Sequence, residues 1–120
     1  MSIANAAAEI REAMGRLEGV PAFPHCFGGT GYRPGGRELG HVHGNEMVDV
    51  PLPRRVRDEV MAHGPAEEHH LLPRTGWVSC YLRRPEDVDC AILLLERSYM
   101  LALDQRRRRQ AEIEADEPRT

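Results

Sequence analysis

The sequence contains no lysine, so all 16 basic residues among its 120 are arginine. The glycine-rich stretch Gly28-Gly29-Thr30-Gly31 therefore lacks the lysine of a phosphate-binding P-loop, and we interpret it as a hairpin turn. Long apolar runs are also missing, because the longest, residues 91–95, is far too short to cross a bilayer. The amino terminus has no basic segment typical of a signal peptide. We therefore expect a soluble cytoplasmic protein with no membrane partner.

Cysteine is scarce, and positive charge is not in excess. The three cysteines, Cys26, Cys80 and Cys90, form no C-x-x-C pair, which argues against a disulfide framework and a cysteine zinc site. A net charge of −3 gives no electrostatic footprint for nucleic acid, so no nucleic-acid partner is expected. Six histidines, several of them clustered, are the main indication of function.

Hydrophobic periodicity predicts three helices. Apolar residues recur at spacings of three and four over residues 3–17, a short helix follows Pro53, and a long helix opens at Pro85. We expect the long helix to fray after Leu103. The tail, residues 105–120, places four arginines before several acidic residues, and we interpret it as a solvated segment following a domain of residues 1–104.

Several strands are predicted between these helices. Residues 22–27 and the surroundings of Tyr32 are expected to form short strands, and residues 39–43 and 47–52 a hairpin joined by Gly44-Asn45-Glu46. Residues 76–82 give the clearest strand signal. This order predicts an α+β domain with a mainly antiparallel sheet. An N-terminal helix, a short middle helix and a long C-terminal helix would pack on one of its faces.

Alternation along these strands selects the side chains that share the other face of the sheet. If Val42, the Val48 and Val50 pair, and Val78 face the core, the residues between them face away from the helices. The resulting set combines titratable and aromatic groups, which suits a planar, hydrogen-bonding small molecule. It consists of His41, His43, Asp49, Trp77, Ser79 and Tyr81.

His41 and His43 also permit a metal site, since two imidazoles on one strand face can share an ion. Further ligands would have to come from His69 or His70, Glu46 or Asp49. The alternatives are that the histidines act as hydrogen-bonding groups or general bases, or that they are only structural.

Five motifs in order resemble the luciferase-domain family, which includes small bacterial proteins and the fungal luciferases. The motifs are Arg37-Glu38-Leu39-Gly40-His41-Val42-His43, Val48-Asp49-Val50-Pro51-Leu52-Pro53, His69-His70-Leu71-Leu72-Pro73, Gly76-Trp77-Val78-Ser79-Cys80-Tyr81 and the helix ending Ser98-Tyr99. The resemblance implies a pocket for a planar phenolic or enolic ligand, oxidised by molecular oxygen without flavin or nucleotide. It covers about residues 37–99. A fainter likeness to the MmcQ/YjbR-like double-wing proteins also implies an α+β fold.

Three hypotheses follow. In the first, the protein is an enzyme that needs no organic cofactor, and a histidine takes an enol proton so that oxygen can react. Its catalytic candidates are His41, His43, His69, Arg37 and Glu38, and its ligand-binding candidates are Asp49, His70, Trp77, Ser79 and Tyr81. In the second, the protein is a non-catalytic binding or regulatory module. In the third, the histidine cluster holds a divalent metal.

Overall fold

A computed structural model of the chain describes residues 4–24, 29–33, 38–63, 66–69 and 75–116. In chain order, the elements are α1 (Ala6–Gly15), β1 (Ala22–Pro24), β2 (Thr30–Tyr32), β3 (Gly40–His43), β4 (Met47–Pro51), α2 (Arg54–His63), β5 (Glu67–Glu68), β6 (Trp77–Tyr81) and α3 (Pro85–Asp116). The strands form one six-stranded antiparallel sheet in the order β1-β2-β3-β4-β6-β5. The predicted α+β class is confirmed.

Strand β5 is an element that the sequence pattern did not predict. Glu67 and Glu68 pair antiparallel with Ser79 and Val78. Two consecutive exposed glutamates show no apolar alternation, so nothing local indicates a strand. The pairing with β6 alone defines it, and it brings the following residue, His69, to the sheet.

The hydrophobic core lies between the sheet and the helices α1 and α3. One side of the central strands β3, β4 and β6 supplies buried valines and Cys80, which pack against the apolar stripe of α3. At Gly40 the contact between the sheet and α3 is especially close. A Cβ there would lie 2.6 Å from Cδ2 of Leu95. Helix α1 is tied to the β3–β4 turn, where the Ala7 N–H donates to Oδ1 of Asn45 over 2.8 Å.

Helix α3 begins with a buried carboxylate. Oδ2 of Asp87 accepts the backbone N–H groups of Arg83 and Arg84 at 3.0 and 2.9 Å. Burial would raise the pKa of Asp87, but these hydrogen bonds outweigh burial and lower it. The carboxylate thus ties the chain entering α3 to the first turn of the helix.

The C-terminal part of α3 is longer than expected. The prediction that the helix frays after Leu103 is wrong, because the helix continues to Asp116. Pairs one turn apart support it: Arg108 lies 3.2 Å from Asp104, and Gln110 donates to Glu114 over 3.2 Å. Residues 104–116 are exposed throughout, as expected of a solvated segment. No helix in the described residues, α3 included, is both long and apolar enough to span a membrane.

Candidate functional site

The side chains predicted to share a sheet face do so. His41 pairs directly with Asp49 across β3 and β4, and Asp49 pairs with Ser79 across β4 and β6. Directly paired residues point to the same side of a sheet. His69, two residues after the partner of Ser79, joins this row from the end of β5. The register therefore assembles a polar row across three strands on the side away from α3.

Asp49 is the centre of this row. Its Oδ2 atom lies 3.0 Å from Nε2 of His41, 3.1 Å from Nε2 of His43 and 3.4 Å from Nε2 of His69. The other carboxylate oxygen, Oδ1, accepts a 2.6 Å hydrogen bond from the hydroxyl of Ser79. Three imidazoles and one hydroxyl therefore converge on a single side chain. We call His41, His43, Asp49 and His69 the histidine–aspartate cluster.

The cluster is buried, whereas the sequence suggested an open face. Asp49 and Ser79 have no solvent exposure, and His41 and His69 retain 8% and 7%. His43 is the most accessible member, with 22% of its side-chain surface exposed. Among the members of the cluster, His43 therefore offers a ligand the most accessible surface.

His41 has a second partner outside the cluster. Its Nδ1 atom lies 2.7 Å from Oε1 of Glu38, so the ring is held between two carboxylates. Oε2 of Glu38 lies 3.7 Å from the guanidinium of Arg33, a residue that the sequence analysis did not select. The chain of contacts thus runs from the surface at Arg33 to the buried Asp49.

These contacts shift the proton affinities of the two central groups in opposite directions. Burial would raise the pKa of Asp49, but hydrogen bonds from His41 and Ser79 and the nearby charge of His69 outweigh it. The pKa therefore lies well below its ordinary value. For His41, burial would lower the pKa, but hydrogen bonds to Asp49 and Glu38 raise it overall. Both shifts favour the ionised form of the Asp49 carboxylate and the protonated form of His41.

The indole ring of Trp77 packs beside the cluster. Its ring centroid lies 5.2 Å from that of His41 and 5.8 Å from that of His69. Trp77 is partly exposed, so the residue is in contact both with these two imidazoles and with solvent. A planar ligand entering next to the cluster would meet this indole.

Tyr81 shares this sheet face but is not a member of the cluster. Tyr81 pairs with Met47, two positions along β6 from Ser79, and the guanidinium of Arg83 lies 4.8 Å from the centre of its ring. Glu46 is exposed in the β3–β4 turn. Arg37 and His70 lie outside the described residues. Of the alternative metal ligands, the structure thus brings Asp49 and His69 to the histidine pair.

His41, Asp49 and His69 form a group that can hold a metal ion. One ligand atom from each lies within 4.8 Å of the others, and all three residues are buried. Neutral imidazole and carboxylate are ligands for first-row transition metals. The site is therefore a buried histidine–carboxylate centre on the sheet of a small α+β domain.

Comparison with known protein families agrees with the motif resemblance. The family model for the luciferase domain matches residues 36–98. The chain therefore belongs to the luciferase-domain family. Searches of curated proteins and of solved structures return no match. The matched segment contains every member of the histidine–aspartate cluster, together with Glu38, Trp77 and Ser79.

Proposed function

We propose that this luciferase-domain chain binds a divalent metal ion at the histidine–aspartate cluster. We further propose that it oxidises a planar hydroxylated small molecule there, with oxygen accepting the electrons. The ligands are Nε2 of His41 and His69 and Oδ2 of Asp49. The observation that carries the metal proposal is the convergence of three Nε2 atoms on one carboxylate oxygen, at 3.0, 3.1 and 3.4 Å.

Hydrogen bonding alone accounts poorly for this convergence. A carboxylate oxygen has about two lone-pair directions, so the contacts from His41 and His43 at 3.0 and 3.1 Å use both and leave none for the longer 3.4 Å contact from His69. Three protonated nitrogens around one oxygen would also repel each other. A cation between His41, His69 and Asp49 would instead use a lone pair from each of these two imidazoles and the negative charge of Asp49. The cluster therefore has the donor set of a metal centre.

The donor set favours iron, with zinc and copper as competitors. Two imidazoles and one carboxylate, as provided by His41, His69 and Asp49, are the facial ligands of many Fe(II) sites that use oxygen. When bound, such an ion would offer open positions to oxygen and to an oxygen atom of the organic ligand. His43 lies 3.1 Å from Asp49 and is more exposed than these three residues. It would therefore be the protein side chain nearest to an incoming molecule.

The surroundings of the cluster match those of metal ligands in general. Ligating histidines commonly donate their other ring nitrogen to a carboxylate, and ligating carboxylates are themselves hydrogen-bonded. Glu38 stands 2.7 Å from Nδ1 of His41, and Ser79 donates to Asp49 over 2.6 Å. These contacts use Nδ1 of His41 and Oδ1 of Asp49, so the ion would be bound by the remaining atoms, Nε2 of His41 and Oδ2 of Asp49.

The organic ligand is proposed from the family and from Trp77. Fungal luciferases, which the motifs resemble, oxidise a hydroxylated pyrone, and Trp77 offers an aromatic surface at the edge of the cluster. Stacking against the indole would hold a planar ring with its hydroxyl toward the cluster. A role for His41 as a free general base is less well supported, because both of its ring nitrogens already contact carboxylates.

To test the metal proposal, the purified, tag-free chain is stripped of metal with a chelator. Zn(II), Co(II) or, under anaerobic conditions, Fe(II) is then added. Elemental analysis after desalting should find a single ion per chain. Co(II) should also quench the fluorescence of Trp77, the only tryptophan. Asp49→Asn should abolish both signals, whereas Asp89→Asn, at an exposed position on α3, should leave them intact. A wild-type chain that retains no ion would contradict the proposal.

The oxidation is tested by oxygen uptake with hydroxypyrones and catechols. Uptake that depends on added Fe(II) and disappears in His69→Ala would support a metal-dependent oxidation. Uptake that resists chelation but disappears in His41→Ala would support the metal-free histidine base instead. Saturable quenching of Trp77 without any uptake would identify a binding module.

A further inference from the structure

The exposed end of α3 carries two blocks of opposite charge. Residues 106–109 are four arginines, and Glu112, Glu114 and Asp116 follow them. The last turn of the helix has no basic residue. Because the C-terminal end of a helix carries the negative end of its dipole, this arrangement places acidic side chains where they are least favourable. Positive charge from outside the helix would offset the repulsion between these acidic side chains and the negative end of the dipole.

This segment also extends beyond the sheet and the other helices. The molecule measures 62 × 28 × 24 Å, and residues 104–116 are exposed along their whole length. An isolated helix of this length is marginally stable in water. Within the segment, the pairs Asp104–Arg108 and Gln110–Glu114 contribute only small amounts each. A partner that packs along the segment would therefore stabilise it.

We propose that the partner is a second copy of this chain, with the two α3 helices paired antiparallel through residues 104–116. In that orientation the arginine block of each helix lies beside the acidic block of the other. A parallel arrangement would place like charges together. Every favourable contact occurs twice, because two identical helices in this orientation are related by a two-fold axis.

Helical spacing identifies the face that pairs. Arg107 and Glu114 are seven residues apart, which is close to two full turns, so they lie on the same side of α3. Ala111 lies between them on this side of the helix, and its small side chain lets the two backbones approach closely. In the antiparallel pair, Arg107 of each copy meets Glu114 of the other. The interface is small and consists mainly of charged residues. The dimer is therefore weak, and added salt dissociates it because salt screens the charges.

Charge reversal tests this arrangement with the full chain. Sedimentation velocity over a range of concentrations at low salt should show a monomer–dimer equilibrium for the wild type, shifted to monomer at high salt. Arg107→Glu and Glu114→Arg should each abolish the dimer. Mixing these two variants should restore a heterodimer, and the double variant should restore the homodimer, because opposite charges again face each other.

Arg106→Glu is the matched control. It makes the same change of charge in the same block, but its position is about 100° around the helix, away from the pairing face. It should dimerise like the wild type. A wild-type chain that stays monomeric at low salt would overturn the proposal. So would single variants at Arg107 and Glu114 that behave like the wild type, or an Arg106 variant that fails equally.

Discussion

Nε2 of His41 lies 3.0 Å from Oδ2 of Asp49, and the two residues are direct partners across β3 and β4. The sheet register thus places a histidine and a fully buried carboxylate side by side. Burying an ionised carboxylate without partners is costly, so its contacts determine whether it is tolerated. Substitutions of the residues that contact this pair should therefore change metal affinity or the free energy of unfolding.

Glu38→Gln should weaken metal binding without unfolding the protein. Glutamine is nearly the same size as glutamate but removes the charge beside Nδ1 of His41, so the imidazole becomes a poorer ligand. We expect the dissociation constant for Zn(II) or Fe(II) to rise about 10–100-fold. Competition with a chromophoric chelator measures it. Glu46→Gln, in the exposed β3–β4 turn, should bind like the wild type, and equal affinities for all three chains would contradict the role of Glu38.

Ser79→Ala should destabilise the metal-free protein. The serine hydroxyl donates to the ionised Asp49 over 2.6 Å, and both side chains are fully buried. Removing a hydrogen bond to a buried charge costs about 1.5–3 kcal/mol of unfolding free energy. Urea denaturation should show this loss. Ser98→Ala is the control, because the Ser98 hydroxyl is buried with no hydrogen-bond partner in the described residues, so its removal should have little effect.

Asp87→Ala should lower stability by about 1 kcal/mol near neutral pH, because two backbone N–H groups before α3 lose their acceptor. The folded-state pKa of Asp87 is lowered, so its contribution is present above the unfolded pKa of about 3.9. That contribution disappears as the pH falls through the folded pKa.

Denaturation of the wild type and Asp87→Ala at several pH values should therefore show two stabilities that converge in acid. Asp89→Ala, exposed two residues further along α3, should follow the wild type throughout. A difference between wild type and Asp87→Ala that persisted unchanged in acid would exclude the carboxylate as its source.

Gly76→Ala should destabilise the fold by about 1–3 kcal/mol. A Cβ at this position would be driven into the backbone oxygen of Leu52, whose N–H donates to the Gly76 carbonyl over 3.0 Å. A backbone oxygen in a paired segment cannot move aside easily. Gly15→Ala, where a Cβ meets nothing within 4 Å, should instead stabilise α1 by about 0.5–1 kcal/mol. Thermal unfolding of the two variants should shift in opposite directions.

Strand alternation was sufficient to predict which side chains share the face of the site. His41, Asp49 and Ser79 were assigned to one side because valines occupy the alternate positions, and the paired strands confirm it. The histidine from residues 67–70 could not be placed in this way. His69 reaches the cluster only because β5 pairs with β6, and no local pattern marks β5 as a strand.

The sequence by itself determined the class of fold, the family and the residue types available for chemistry. These depend on periodicity and on motifs, both of which are local properties of the chain. Only the tertiary structure decided that Asp49 is the focus of three imidazoles and that the face is buried at this point. The continuation of α3 to Asp116 was likewise visible only there. The physical reason is that burial and convergence depend on contacts between residues far apart in the chain. Ser79 and Asp49 are 30 positions apart, and no spacing rule encodes such a distance.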